Sequence, residues 1–221
     1  MQVKGILFDC DGVLLDSELL FAKSVMQFLG KYGIDADLRD IYGLTGQINE
    51  KICSDLKEKY LKNTEVSVDE IDRQLEEFYE LNYKVENYKP FPGLKYFLEY
   101  CIGLKLCLVV VSSSERDYLD SVMNQLGISK YFSLIVSEDD VVHGKPDPEI
   151  YEKAVRATGI DKENLIVIED SKNGIQAAKN AGLYTVGFTA SLIQQDVSQA
   201  DIVKGSYEEL ESWLRRNERC G

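Results

Sequence analysis

Histidine is nearly absent: His143 is the only one in 221 residues. That excludes multi-histidine metal centres and leaves a Ser-His-Asp triad a single residue to draw on. Positive charge is also scarce, with 25 Lys and Arg against 38 Asp and Glu and a net charge of −13. No Lys/Arg cluster offers the basic face that nucleic-acid binding requires, so no nucleic-acid partner is expected. An anionic small molecule is still admissible, because fields are screened beyond about 8 Å at physiological salt and a local cation suffices. Long apolar runs are missing. The longest, Leu106 to Val111, falls far short of the ~18 residues of a membrane span. The first residues read as a strand, not as the basic start and apolar core of a signal peptide. No CxxC pair occurs among Cys10, Cys53, Cys101, Cys107 and Cys220. Their odd number and irregular spacing point to reduced, mostly buried thiols. No repeat or low-complexity tract is present. The expectation is a soluble cytoplasmic protein without a membrane partner, a monomer or weak homodimer.

What is present is enough apolar sequence, 44 % hydrophobic, to bury a sizeable core. One stretch organises it, Gly5 to Ser17. The run Ile6-Leu7-Phe8 is too short for a helix, is soon followed by Gly12, and reads as a strand buried on both faces. Asp9 and Asp11 come as that run ends, and in an open parallel sheet ligands bind at the carboxyl ends of strands. The i, i+2 spacing points both carboxylates the same way for as long as the strand persists. Two like charges that close need a cation or a shared proton. Asp-x-Asp-Gly also suits an ordinary turn after a strand. A calcium loop of the EF-hand kind is excluded, since Val13, Leu14 and Leu15 stand where its further ligands belong. Cys10, between the two aspartates, reads as a small buried hydrophobe on the opposite face of the strand rather than as a thiol nucleophile.

From Asp16 to Tyr88 no strand pattern appears. Leu19, Leu20, Ala22, Val25, Met26 and Leu29 recur at helical spacing before Gly33, a suitable C-terminal cap. A connector is expected over Asp35 to Thr45. A second helix is predicted from Gln47 to Leu61. A third starts at the capping box Ser67-x-x-Glu70 and carries Ile71, Leu75, Phe78, Leu81 and Val85. Then Lys89-Pro90-Phe91-Pro92-Gly93 marks a stiff boundary. Beyond it the rhythm alternates. Strands are predicted at Leu106–Val111, Phe132–Val136, Leu165–Ile168 and Leu183–Phe188. Helices are predicted at Leu94–Cys101, Glu115–Leu126, Asp147–Thr158 and Gly174–Ala181, with a last one opened by Ser206-x-x-Glu209. Repeated strand–helix units mean a parallel sheet with helices on both faces. The expected architecture is α/β: a doubly wound core of residues 1–15 and 89–221, with an all-helical insert, residues 16–88, after the first strand.

Several later strands also end in chemistry. Leu106–Val111 runs into Ser112-Ser113-Ser114. A loop after Phe132–Val136 holds Gly144-Lys145-Pro146-Asp147-Pro148. Leu165–Ile168 runs into Glu169-Asp170-Ser171. Serines and carboxylates in such places can be mere helix caps, and loop lysines are usually solvated. Their joint occurrence at the strand ends of one sheet is much harder to assign to chance.

Asp9-Cys10-Asp11-Gly12, Ser112, Lys145 in Gly-Lys-Pro-x-Pro, and Glu169-Asp170 followed by Asn173-Gly174 resemble, in that order, the motifs of the haloacid dehalogenase superfamily of phosphotransferases. The match covers the whole chain, and the helical insert sits where one subgroup carries its cap domain, a determinant of substrate choice. The resemblance implies that Asp9 is the nucleophile and Asp11 the general acid and then base. It implies Mg²⁺ held by Asp9, the Asp11 backbone carbonyl and Asp170, with Glu169 supporting that shell. Ser112 would bind a phosphoryl oxygen, and Lys145 would neutralise nucleophile and phosphate. Asp11 separates the chain from the dehalogenase and phosphonate-cleaving branches, which lack an aspartate there. The chain is similar overall to the β-phosphoglucomutase-like group, with two departures: Phe21 where that enzyme carries a histidine, and Gly46 where it carries a phosphate-binding arginine. The expected function is therefore hydrolysis of a small phosphorylated metabolite, in the direction of a sugar phosphate. A phosphosugar mutase is the alternative, and a non-catalytic binding or regulatory protein on the same fold is the alternative of another class.

Overall fold

Ile6, Leu7 and Phe8 have no exposed surface at all, as a strand flanked by neighbours on both sides and helices on both faces demands. They form β1, Gly5–Phe8, in a computed structural model that describes residues 2–42, 44, 49–82, 84, 87–193 and 195–218. After β1 the core unit continues through α5 (Leu94–Gly103), β2 (Cys107–Val111), α6 (Arg116–Leu126), β3 (Leu134–Val136) and α7 (Glu149–Thr158). It ends with β4 (Leu165–Glu169), α8 (Lys172–Asn180), β5 (Tyr184–Phe188), β6 (Ile202–Lys204) and α9 (Tyr207–Glu218). The intervening helices are α1 (Ser17–Gly30), α2 (Leu38–Tyr42), α3 (Asn49–Lys59) and α4 (Val68–Asn82). By its internal contacts the chain divides into Met1–Asp16 with Tyr88–Gly221, and Ser17–Asn87.

Among the described residues the sheet has 6 strands, all parallel, in the order β3-β2-β1-β4-β5-β6. Alternate residues of β1 serve opposite faces, as the strand period requires. Leu7 joins Ile150, Tyr151 and Ala154 of α7 and Ala177 and Ala178 of α8 in one buried cluster. Phe8 turns the other way, its ring edge-on to Phe97 of α5 at 6.2 Å and to Phe132 at 5.6 Å. Phe97 in turn meets Tyr207 of α9 at 5.3 Å. The sheet is thus covered on both faces. The loop after β1 is tied down from three sides. Leu14 and Leu15 N–H groups donate to the Cys10 carbonyl. The Tyr207 hydroxyl donates to the Val13 carbonyl at 2.7 Å. Leu15 also bridges to Pro90, so the two chain crossings that bound the helical unit are paired with each other.

In the helical unit, α1 packs on α4 through Phe28 and Phe78, ring centroids 6.4 Å apart. A buried Asn82 amide donates to Gln27 at 2.7 Å. Phe21 stacks on Tyr79 at 5.9 Å. The predicted start of α4 holds, with the Glu70 N–H on the Ser67 hydroxyl at 3.2 Å.

Besides short 3-10 turns, the described residues add an α-helix and a strand to the elements that the pattern predicts. The expected connector holds α2, whose 5 residues are too few to show a helical period. An edge strand, β6, is 3 residues long with Val203 48 % exposed, so it lacks the apolar run that marks an interior strand. Val85, and the first two residues predicted for the second helix, Gln47 and Ile48, lie outside the described residues, as do Gly46 and Cys220. The other four cysteines are free.

Candidate active site

Strand order fixes where a ligand would bind. From β1 the chain moves outward to β2 and β3, then returns to β4 on the other side of β1. The carboxyl ends of β1 and β4 therefore flank the point where the order reverses, the crevice where ligands bind in open α/β sheets. Register places the chemistry there. Phe8 pairs with Val110 on one side and Ile168 on the other, so one residue further on Asp9, Val111 and Glu169 come level. The Asp9 N–H closes on the Ile168 carbonyl at 3.0 Å, which seats Asp9 as a continuation of the ladder.

Lys145 reaches this edge from the loop after β3, its side chain only 6 % exposed. Its ammonium donates to Asp9 Oδ1 at 2.6 Å, Glu169 Oε1 at 2.7 Å and the Val111 carbonyl at 3.1 Å. Those three bonds account for all three of its hydrogens. Lys145 therefore fixes Asp9 and offsets the cluster's charge; contact with a phosphate would require it to release one of them. Its ammonium also lies 5.2 Å from the centre of the Tyr151 ring, a cation–π arrangement. Glu169 is fully buried and saturated. Besides Lys145 it accepts from Tyr151 Oη at 3.0 Å and from the Ser171 N–H and hydroxyl at 3.1 and 3.0 Å. Ser171 also caps α8, accepting from the Gly174 N–H at 3.0 Å.

Asp9, Glu169 and Asp170 are all buried, each offering a carboxylate oxygen within 4.8 Å of the others. Burial is the largest influence on Asp9 and pushes its carboxyl up, against the pull of Lys145; Glu169 and Asp11 add to the push, and it reaches about 8. Burial would lower Lys145, but Asp9 and Glu169 outweigh it and hold the ammonium well above its usual range. Lys145 is thus the fixed positive charge, and one cation among these carboxylates leaves a surplus of negative charge. A hard divalent cation fits such an oxygen-only donor set. Two glycines make the cluster sterically feasible. A Cβ on Gly12, whose φ is +77°, would stand 1.9 Å from Asp170 Oδ2. One on Gly174 would stand 1.7 Å from Glu169 Oε1.

Asp11 stands apart. It is half-buried, with Tyr118 Oη donating to Oδ1 at 2.9 Å and Ser114 Oγ donating to Oδ2 at 3.1 Å. Burial, then the charge of Asp11, drives the Tyr118 phenol far above its usual range, so it stays a donor. Ser112, 2 % exposed at the end of β2, accepts from the Ser114 N–H at 3.2 Å. Cys10 is fully buried and its thiol is pushed up by burial, then by Asp11 and Asp9, so it is inert as a nucleophile. Sequence reasoning named Ser114 and Ser171 only as members of strand-end runs, with no role of their own, and missed Tyr118 and Tyr151. A tyrosine carries no motif, but the spacing of Ser114 and Tyr118 places both at the start of one helix, and Ser171 directly follows two carboxylates.

The family model described as haloacid dehalogenase-like hydrolase matches residues 6–188. A validoxylamine A 7'-phosphate phosphatase from Streptomyces hygroscopicus subsp. limoneus is 30 % identical over 200 residues, covering 90 % of this chain and 92 % of that protein. A phosphorylated carbohydrates phosphatase from Thermotoga maritima is 33 % identical over 187 residues, covering 82 % of each. The crystal structure of a hydrolase of this family from Deinococcus radiodurans, solved with bound phosphate and sodium, superposes with a TM-score of 0.84 at 25 % identity, covering 97 % of this chain and 96 % of that one. With its motifs, its switch-point cluster and these relatives in agreement, the chain belongs to the haloacid dehalogenase-like hydrolases, and the two sequence relatives above are named as phosphatases.

Proposed function

We propose that the protein is a Mg²⁺-dependent phosphatase of a small phosphorylated metabolite, a sugar phosphate by the analogy of its relatives, working through a phosphoryl group carried on Asp9. The observation that carries this reading is the Asp9 carboxylate, fixed by Lys145 at 2.6 Å at the end of β1. An Asp9 oxygen attacks phosphorus and the ester P–O bond breaks. The departing alkoxide takes a proton from Asp11. Water then attacks the phosphorus on Asp9, giving its proton back to Asp11, and inorganic phosphate leaves with Asp9 restored. Ser112 binds a phosphoryl oxygen. Asp9 and Asp170, with the Asp11 carbonyl, are the residues that would hold Mg²⁺, and Glu169 orients them; when bound, the metal draws charge from the phosphoryl oxygens. Among the described residues no helix is long and apolar enough to cross a membrane. The helical unit, on this reading, selects the substrate.

The runner-up is a phosphosugar mutase. Phe21, stacked on Tyr79, is an apolar group where the mutase carries a histidine, and this favours hydrolysis. A phosphate-release assay over a panel of phosphorylated metabolites, run beside a coupled assay for glucose 6-phosphate from β-glucose 1-phosphate, separates the two. Phosphate release from at least one ester should exceed isomerisation by orders of magnitude. Rapid isomerisation with little free phosphate overturns the proposal, and so does full phosphatase activity in excess EDTA.

A further inference from the structure

Asp11 lies beyond the last ladder pair of β1, in the loop, half-buried. A carboxylate in that position has no strand to fix its side chain. Yet each of its oxygens receives one hydroxyl, from Tyr118 at 2.9 Å and Ser114 at 3.1 Å. Both donors belong to the same short stretch. Ser114 immediately precedes the cap of α6, and Tyr118 lies in its first turn. The next residue, Leu119, is fully buried and anchors that turn to the core. The Tyr118 ring is itself braced, edge-on to the buried Tyr88 at 5.9 Å and 72°. The result is a two-point bracket on a rigid element. A carboxylate oxygen has two lone pairs, so one donor on each leaves one site on each oxygen to take or give a proton.

We propose that Tyr118, with Ser114, is a positioning residue that holds the Asp11 carboxylate in line for proton transfer. This rests on the phosphatase reading. Neither hydroxyl touches the reacting atoms; each acts through Asp11. The consequence is selective. Alkyl phosphates have poor leaving groups that need a proton from Asp11 as the ester bond breaks. p-Nitrophenyl phosphate has a leaving group stable enough to depart without one. The ratio kcat/KM covers the steps up to release of the leaving group, so it isolates this difference.

The test compares Tyr118→Phe with wild type on an alkyl phosphate and on p-nitrophenyl phosphate. The alkyl substrate should lose about tenfold in kcat/KM, a fraction of the 10²–10⁴ that a positioned acid supplies. The p-nitrophenyl substrate should stay within about twofold. Ser114→Ala, which removes the other donor, should shift the ratio in the same direction and gives the answer where Tyr118→Phe folds poorly. In an Asp11→Asn background Tyr118→Phe should leave the ratio unchanged, because the two residues act as one unit. Equal losses on both substrates, or a shift that persists without the Asp11 carboxylate, overturn the positioning role while leaving the phosphatase reading in place. A wild-type protein that releases phosphate from neither substrate brings down the phosphatase reading, and this inference with it.

Discussion

Asp9 and Asp11 are two residues apart, yet they stand in opposite surroundings. Asp9 is 7 % exposed, gripped by a buried ammonium and crowded by Glu169 and Asp170. Asp11 is half-buried, held by two hydroxyls and outside that cluster. The contrast follows from where the strand ends. Asp9 still closes a backbone bond to β4, so its side chain inherits the rigidity of the sheet. Asp11 lies two residues further on, beside Gly12, whose positive φ turns the chain. A nucleophile gains from fixed position and a paired charge. A proton carrier gains from neutral donors and access to water. Pairs of carboxylates whose environments differ in this way are how one site divides two roles.

Removing each carboxylate separately should break the symmetry that the sequence suggests. Asp9→Asn should lower kcat by about 10⁴-fold or more, since the amide cannot attack phosphorus; steady-state phosphate release measures it. Asp11→Asn should cost about 10²–10⁴ on an alkyl phosphate. On p-nitrophenyl phosphate the same variant should release a burst of p-nitrophenol close to one equivalent of enzyme and then slow, because the phosphoryl group on Asp9 waits for an unassisted water. Stopped-flow absorbance at the p-nitrophenolate band reads the burst, and its absence would mean that Asp11 does not serve the second step.

Gly174 gives a smaller effect. Gly174→Ala puts a methyl where Glu169 Oε1 lies, at 1.7 Å. Glu169 is saturated and cannot move without breaking its bonds to Lys145 and Ser171. The expected loss is about 1–3 kcal/mol, typical of overpacking a filled site, together with weaker Mg²⁺ binding. Thermal denaturation in EDTA and Mg²⁺ titration check the two parts.

The smallest effect concerns pH. Without metal, folding raises Asp9 from 3.8 to about 8. Between those values the folded chain holds a proton that the unfolded chain has lost, so stability from this group is present below the lower value and is lost as pH rises through the higher one. Asp9→Asn removes that dependence. In EDTA its Tm should exceed that of wild type by a few degrees at pH 8, with the gap closing toward pH 4. Mg²⁺ affinity of the wild type should correspondingly rise with pH up to about 8, with proton release on binding. A gap that widens on acidification contradicts the upward push of burial on the Asp9 carboxyl.

Much of this was legible in the sequence, for a physical reason. β1, β2 and β4 are buried on both faces, so they appear as uninterrupted apolar runs, and the polar and charged residues ending those runs stand out. Asp9, Ser112, Glu169 and Asp170 are visible in this way. Lys145 is visible through its prolines and glycine. The connectors that matter less show less: α2 is one turn and β6 is an exposed edge. What the pattern could not show is who answers Asp11. Tyr118 lies more than a hundred positions away, on a helix whose own periodicity reads only as core and surface. That contact depends on the β1–β2 pairing, which is a property of topology.

The central claim is that Asp9, not Asp11 or Cys10, carries the phosphoryl group. The most direct measurement is acid-quench peptide mapping of Asp11→Asn after mixing with p-nitrophenyl phosphate and Mg²⁺. The account predicts one phosphoryl group per chain, on the peptide containing Asp9, and none when Asp9→Asn is added. A phosphoryl group on another residue, or full turnover by Asp9→Asn with no labelled peptide, would contradict it.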